Sequence, residues 1–269
     1  MALIAAGKLD KMLTTIDRVV EYTMLFDEQK VPINQYLGTA IHLKYNGEIR
    51  CVECNKRTKT AFGNGFCYPC FTTSANSAPC IIRPELCSAH IENGNVQSHI
   101  CKGHVSTHYV YLSYTGGIKV GVTRGTQVPT RWIDQGATQA MIIAETPYRQ
   151  AAGAIEVDLK SYFADKTAWQ KMLKQPLDEQ LNFEFTNEKI KSLLANNDLK
   201  KYILEQTKTT SIMFPQLTVP IKVTSHNFNK TNEIAGTLTG IKGQYLIFDN
   251  EKVVNIRTHS GYVITLNTL

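Results

Sequence analysis

The sequence predicts an α+β protein that contains a zinc-ribbon region, a central α/β domain and a small β-barrel at its C-terminal end. Two closely spaced Cys-x2-Cys pairs in the first third of the chain predict the ribbon. Between residues 106 and 175, short alternating apolar runs are interrupted by segments typical of helices, which predicts the α/β domain. From residue 215 onwards, glycines punctuate alternating apolar residues, as in a small barrel.

The same patterns divide the chain into five segments. In the first, Ile41, Leu43 and Tyr45 alternate in a strand that leads directly into the first cysteine. The second lacks periodicity, so a bound metal would supply the stability that an ordinary core cannot. In the fourth, Ile190 and Leu193 indicate an amphipathic helix. The segments are 1–50, β-rich; 51–105, the zinc-binding Cys/His region; 106–175, the α/β domain; 176–214, a helical connector; and 215–269, a C-terminal β domain.

Composition excludes some functional classes. The chain has 269 residues, a hydrophobic share of 43% and a formal net charge of +6. It has no apolar run of the roughly 20 residues that cross a bilayer, and no export signal, so we expect a soluble, cytoplasmic protein without a membrane partner. It has no Gly-rich phosphate loop, so we expect no small-molecule cofactor. A basic chain is compatible with a nucleic-acid partner.

The two Cys-x2-Cys pairs predict a first zinc site. Cys51 and Cys54 are separated by twelve residues from Cys67 and Cys70. Four thiolates with this spacing can close a tetrahedral site, because each pair reaches the metal from one tight turn. The alternative is a set of disulfides or free thiols, but the thiols of a protein that is not exported stay reduced.

A second zinc site is predicted further along the chain, with less regular spacing. Its ligands would be Cys80, Cys87, His90 and Cys101, with His104 as a competing fourth ligand. The alternative is that these are structural thiols and surface histidines. The two groups could also share ligands.

The α/β segment predicts strand, strand, helix, strand, helix. His108–Ser113 and Ile118–Val122 form a hairpin, and Thr130–Gln135 forms a short helix. Met141–Ala144 is the third strand, and Pro147 begins the second helix.

This segment resembles the GIY-YIG nuclease domain. Tyr109-Val110-Tyr111 matches the first motif, and Lys119-Val120-Gly121 matches the second. Arg131, in R-W-I-D-Q-G-A, matches the arginine of that family's first helix, and Glu156, in A-G-A-I-E-V-D-L-K, matches its later glutamate. The resemblance covers about a quarter of the chain, and its motifs are short.

The resemblance implies magnesium-dependent phosphodiester hydrolysis. Tyr109 or Tyr111 would act as the base, Arg131 would hold the phosphate, and Glu156 would bind Mg²⁺. Lys119 stands where the family has a tyrosine, so the same residues could instead form a surface that binds without cleaving. Glu156 could also form a structural pair with Arg131.

Over its whole length the chain resembles an uncharacterised bacterial family, domain of unknown function 2797. The segments that carry the likeness are the paired cysteines, P-E-L-C at Pro84–Cys87, K-V-G-V-T-R, R-W-I-D-Q-G-A, and G-I-K-G-Q-Y-L at Gly240–Leu246. This resemblance implies no activity.

Basic residues predict where nucleic acid would bind. Lys119 and Arg124 lie on the second strand of the hairpin, and Lys56 and Arg57 lie in the ribbon loop beside several aromatic residues. The alternative for the loop is a solvated surface. The sequence therefore predicts a zinc protein that interacts with DNA or RNA, with three alternatives left open: a magnesium-dependent endonuclease, a non-catalytic nucleic-acid or ribosome-associated binding protein, and a structural adaptor.

Overall fold

The structure, a computed structural model, describes residues 1–91, 103–176, 183–194 and 198–269. These residues divide into two units. The first comprises Met1–Ser77 and Ile212–Leu269, and the second comprises Ala78–Ser211. None of the helices in the described ranges has the length and apolar composition needed to cross a membrane.

Fourteen strands are found among the described residues. They are β1 (Ala2–Ile16), β2 (Val20–Phe26), β3 (Gln29–Pro32), β4 (Ala40–Arg50), β5 (Arg57–Thr58), β6 (His108–Tyr114), β7 (Ile118–Arg124), β8 (Gln139–Thr146), β9 (Thr209–Ser211), β10 (Thr224–Ser225), β11 (Glu233–Lys242), β12 (Tyr245–Phe248), β13 (Lys252–Asn255) and β14 (Tyr262–Thr268).

The described residues also contain six α-helices. They are α1 (Tyr68–Thr73), α2 (Pro79–Ile82), α3 (Thr130–Asp134), α4 (Arg149–Leu159), α5 (Trp169–Leu173) and α6 (Glu184–Leu193). Short 3-10 helices include Pro84–Leu86, which enters the argument below.

The first unit is built on one ten-stranded sheet. Its order is β10-β13-β12-β11-β4-β14-β1-β2-β3, and β5 pairs with β4. Its strands alternate between the two faces of the sheet: in β2, Val20, Tyr22, Met24 and Phe26 are buried and the residues between them are not. The sheet is mixed only at its edge, where β10 runs parallel to β13.

This sheet corrects the predicted C-terminal barrel. The described strands after residue 215 form no closed barrel of their own, because β11 pairs with β4, and β14 lies between β4 and β1. Thus the segments predicted as 1–50 and 215–269 contribute to the same sheet. Alternation identifies a strand and its buried face, but it does not identify the neighbouring strand.

The second unit contains the predicted α/β arrangement. Its sheet has the order β7-β6-β8-β9, and β6 pairs antiparallel with both β7 and β8. Val110, Leu112 and Val120 on these strands form a core with Ile155 and Leu159 of α4. This helix begins at Arg149, two residues later than Pro147.

The segment predicted as a helical connector packs into the same core. Ile190 and Leu194 are buried there together with Phe183, and Leu193 packs against them. A 3-10 helix, Asp198–Tyr202, and β9 follow. The apolar stripe seen in the sequence therefore faces the core of the α/β unit.

Candidate functional site

Four cysteines of the first unit meet in one cluster. Cys51 follows β4, and Cys54 comes three residues later; Cys67 immediately precedes α1, and Cys70 lies within it. The four sulfur atoms lie within 4.8 Å of one another. The distance between the Sγ atoms of Cys54 and Cys67 is 3.8 Å.

This spacing fits a tetrahedral metal site. A disulfide would require about 2.05 Å between sulfur atoms. In a regular tetrahedron with Zn–S bonds of about 2.3 Å, neighbouring sulfur atoms lie about 3.8 Å apart, as they do here. Four thiolates are also a donor set that suits zinc. Cys51, Cys54, Cys67 and Cys70 are therefore compatible with zinc binding.

Backbone contacts bring the two cysteine pairs together. The N–H of Val52 donates to the carbonyl of Gly65 at 2.9 Å. Gly65 has a φ of +104°, and a Cβ there would lie 2.5 Å from the carbonyl oxygen of Ser260. Only glycine fits this position, because the backbone conformation and the close approach both exclude a side chain. The glycine thus allows the second pair to approach the first.

The pKa values of two thiols in this cluster are shifted in opposite directions. Burial opposes ionisation of Cys51, but backbone N–H groups of Cys54, Cys67 and Glu53 outweigh it and lower its pKa to about 6. Hydrogen bonding to Cys67 and burial raise the pKa of Cys70 to about 12. Without a cation, negative charge on one sulfur discourages charge on the next. A bound cation would remove this conflict.

A second cluster lies in the second unit. Cys80, Cys87 and His104 have their donor atoms within 4.8 Å of one another. Nδ1 of His104 lies 3.4 Å from the sulfur of Cys87 and 3.9 Å from that of Cys80. Burial, followed by the positive charges of Arg149 and Arg124, lowers the pKa of His104 to about 4, so its imidazole is neutral at pH 7.

The predicted ligand His90 is not part of this cluster. Its ring instead stacks on that of Tyr148, with the centroids 4.4 Å apart and the planes at 3°. The competing ligand His104 takes its place, because the chain before β6 brings that residue to the two cysteines. Cys101 lies outside the described residues.

Tyr111 is the most deeply placed of the predicted catalytic residues. It is 0% exposed, and its hydroxyl donates to Oε1 of Gln135 at 2.8 Å. It pairs directly with Gly121 on the next strand, where a Cβ would lie 2.6 Å from the tyrosine oxygen. The glycine of the second motif therefore leaves room for the tyrosine of the first. Burial raises the pKa of Tyr111, which opposes the formation of a phenolate base.

Arg131 and Glu156 lie close enough to influence both Tyr111 and Lys119. Arg131 is half-buried, and its charge favours ionisation of Tyr111. Lys119 is only 5% exposed, and its Nζ donates to the carbonyl of Asp165 at 3.0 Å. Burial and then the charge of Arg131 lower the pKa of Lys119 to about 8, although Glu156 and Asp165 act in the opposite direction.

The carboxylate of Glu156 has lysine ammonium groups beside it. Its carboxylate lies 3.8 Å from Nζ of Lys160, which also approaches Asp165 at 3.7 Å. Burial raises the pKa of Glu156, and the charges of Lys160 and Lys119 oppose this effect. Mg²⁺ needs oxygen ligands, whereas ammonium groups next to a carboxylate repel a second cation. Lys160 and Lys119 are thus the counter-ions of Glu156.

A series of basic side chains extends from this group. Burial lowers the pKa of Arg149, the charges of Cys80 and Cys87 raise it, and those of Arg124 and Arg131 lower it again. Arg131 also lowers the pKa of Lys119, so the positive charge of Arg131 acts on both Lys119 and Arg149. We refer to Lys119, Arg124, Arg131 and Arg149 as the basic cluster.

The other predicted site residues lie apart from these contacts. Tyr109 is half-buried, and the ideal Cβ of Gly125 would lie 3.4 Å from its ring. Lys56 and Arg57 are exposed in the first unit, where Arg57 lies in β5 and pairs with Arg50 of β4. They flank the first cysteine cluster.

Arg149 has a tertiary role that the sequence patterns did not indicate. Its Nε donates to the carbonyl of Cys80 at 2.9 Å, and a terminal nitrogen donates to that of Ile81 at 3.0 Å. An arginine is unfavourable in the first turn of a helix, because the helix dipole is positive there. That anomaly in the sequence could have identified it as a residue with a tertiary role.

Fold and clusters define an α+β protein with a four-cysteine group suited to zinc. The chain belongs to the family described as "Protein of unknown function (DUF2797)", which it matches over residues 38–264 of 269. This confirms the whole-chain resemblance seen in the sequence. Comparison with curated proteins and with solved structures gave no match. The GIY-YIG resemblance of the α/β unit stays a prediction.

Proposed function

We propose that this protein is a zinc-containing nucleic-acid-binding protein that holds the phosphate backbone with the two accessible arginines of its basic cluster, Arg124 and Arg131, and does not cleave it. Zinc at Cys51, Cys54, Cys67 and Cys70 would stabilise the ribbon segment. The α/β unit would provide the contacts to phosphate. RNA of the ribosome is one source of such a backbone.

The basic cluster is the observation that carries this proposal. Burial and then nearby positive charge, including that of Arg131, lower the pKa values of Lys119 and Arg149, which shows that these like charges weaken the fold. An anion placed between them would relieve that repulsion. Arginine binds phosphate through two parallel hydrogen bonds, and lysine binds it as a point charge. Arg131 is half-buried and so retains access to solvent.

Lys119 and Glu156 favour binding over cleavage. At the position of the family's second tyrosine, Lys119 offers no hydroxyl. Glu156 has Lys160 and Lys119 as counter-ions, and Tyr111 is fully buried with a raised pKa. These features oppose the base and the metal that hydrolysis requires.

The endonuclease is the second candidate. Tyr111, Arg131 and Glu156 are grouped in one unit, as its chemistry would require. It predicts Mg²⁺-dependent products that disappear in Glu156→Ala.

Fluorescence anisotropy with labelled single- and double-stranded DNA and RNA tests the proposal. We expect salt-sensitive binding that is equal with Mg²⁺ and with EDTA, and no products on gels. Arg131→Gln should weaken binding about tenfold or more and reduce the salt slope by about 1, because one phosphate contact is lost. Lys222→Gln removes the same charge from an exposed site and should change binding little.

Three results would count against it. Equal affinity of Arg131→Gln and the unchanged protein would show that the basic cluster is not the contact surface. Mg²⁺-dependent products would favour the nuclease. Absence of binding to all four probes at moderate salt would favour a structural adaptor.

A further inference from the structure

We propose that Cys80, Cys87 and Nδ1 of His104 bind a second Zn²⁺, and that this ion holds α4 against the segment Pro79–Cys87. This inference is independent of nucleic-acid binding. It assigns a structural metal to the unit that carries Glu156.

The donor atoms have the separation that zinc requires. With Zn–S bonds of about 2.3 Å and Zn–N bonds of about 2.0–2.1 Å, a tetrahedral site places sulfur and nitrogen about 3.6 Å apart. The observed distances from Nδ1 of His104, 3.4 Å to Cys87 and 3.9 Å to Cys80, lie on either side of that value. His104 is 1% exposed and Cys87 5%, so water does not surround these donors. Thiolate and imidazole together favour zinc over magnesium or calcium.

Among the described residues, the segment that supplies the cysteines buries few large apolar side chains. Between Pro79 and Ile91, its large apolar residues Ile82, Leu86 and Ile91 are 84%, 49% and 69% exposed. The apolar cluster there consists of Cys87 and Ala89, with Cys80 packed against them. Such a segment gains its order from metal binding, because the binding energy becomes folding energy.

Both sides of this cluster are bonded to the start of α4. Arg149, the first residue of the helix, donates from its side chain to the carbonyls of Cys80 and Ile81. Its backbone N–H donates to the carbonyl of His104 at 2.8 Å. One residue therefore bonds to two of the three ligands.

The next turn of α4 makes a still closer contact. A Cβ on Gly153 would lie 2.3 Å from the backbone nitrogen of Glu85 and 2.5 Å from the carbonyl carbon of Pro84. The 3-10 helix Pro84–Leu86 thus packs directly on the helix backbone, one turn before Glu156. A metal that fixes Cys87 also fixes this contact, and through it the position of α4.

Zinc content of the purified full-length protein tests the site. The unchanged protein should carry one zinc at each cluster. His104→Ala should lose the zinc of the second cluster only, whereas His90→Ala, which removes a nearby histidine that stacks on Tyr148, should keep both. His104→Cys shows whether zinc loss in His104→Ala reflects the missing ligand or a misfolded protein. This variant should retain both metals, and its Co²⁺-loaded form should gain thiolate-to-cobalt absorption.

Hydrogen exchange tests the coupling to α4. In His104→Ala, amides of residues 149–159 should exchange about tenfold faster or more, and those of β4 should be unchanged. Retention of both zinc ions in His104→Ala, or an unchanged cobalt spectrum in His104→Cys, would overturn the site. Loss of one zinc with unchanged exchange in α4 would overturn the coupling.

Discussion

Lys119 is buried to a degree that is rare for a lysine, and burial of its charge lowers the stability of the fold. Lysines are almost never fully buried unless they are paired. Glu156 and Asp165 partly compensate Lys119, while Arg131 repels it. Residues that lower the stability of their own fold are concentrated at functional sites.

Lys119→Met should stabilise the protein at pH 7 by about 1 to 3 kcal/mol. The folded-state pKa of Lys119 is lowered from 10.5 to about 8, so below pH 8 the fold bears the full cost of a buried ammonium group. Between pH 8 and 10.5 the folded protein releases the proton before the unfolded chain does, and the cost declines. The advantage of the variant over the unchanged protein should therefore shrink as pH rises through this window.

Urea unfolding at pH 7 and at pH 10 measures this difference. Lys222→Met, at an exposed lysine paired with Glu251, should change stability by less than about 1 kcal/mol at either pH. A Lys119→Met protein that is less stable at pH 7 would mean that the contacts to Asp165 and Glu156 outweigh the burial of the charge.

At the scale of elements, α4 is placed by a close approach of backbone to backbone. Gly153 lies inside this helix, where glycine costs about 1 kcal/mol relative to alanine. Its compensation is the contact with Pro84 and Glu85. The P-E-L-C segment and the A-G-A-I-E segment, distant in sequence, are therefore complementary surfaces.

Gly153→Ala should destabilise the protein by about 1 to 3 kcal/mol, although alanine is the better helix former. The added Cβ would displace backbone atoms, which cannot rotate away as a side-chain end can. Val157→Ala on the exposed side of the same helix is the matched control and should be nearly neutral. Thermal unfolding of the three proteins makes the comparison, and a Gly153→Ala protein as stable as Val157→Ala would contradict the packing.

At the scale of the whole molecule, each of the two units contains one cysteine cluster, and the clusters stand in different surroundings. In the first unit, α1 has no buried residue. The ten-stranded sheet of the same unit buries Ile41, Leu43, Ile264 and Leu266 completely. A metal at the cysteines and apolar packing in the sheet would thus stabilise separate parts of that unit.

Cys54→Ser should therefore unfold the ribbon locally. We expect amides of residues 62–74 to exchange at least about tenfold faster, while those of β4 and β14 keep their protection, because sheet packing does not depend on the metal. Hydrogen exchange with mass spectrometry resolves the two regions. Lys59→Ala, at an exposed residue outside the ligand set, is the control. Loss of protection in β4 as well would show that the cluster supports the sheet.

Some of this protein was predictable from local pattern. The alternation in His108–Ser113 and Ile118–Val122 predicted a hairpin that the structure places at β6 and β7. The Cys-x2-Cys spacing predicted the cluster of Cys51, Cys54, Cys67 and Cys70. The hairpin depends on residues that are close together in the chain. The cluster depends on four thiols, a donor set typical of zinc sites.

The sequence by itself determined the hairpin of β6 and β7, the four-cysteine group and the family. Only the tertiary structure decided that β14 lies between β4 and β1, that His104 rather than His90 meets Cys80 and Cys87, and that Glu156 faces lysines. The physical reason is that periodicity and spacing record which face of an element is buried, whereas partners far apart in the chain are selected by packing and charge after the elements have formed.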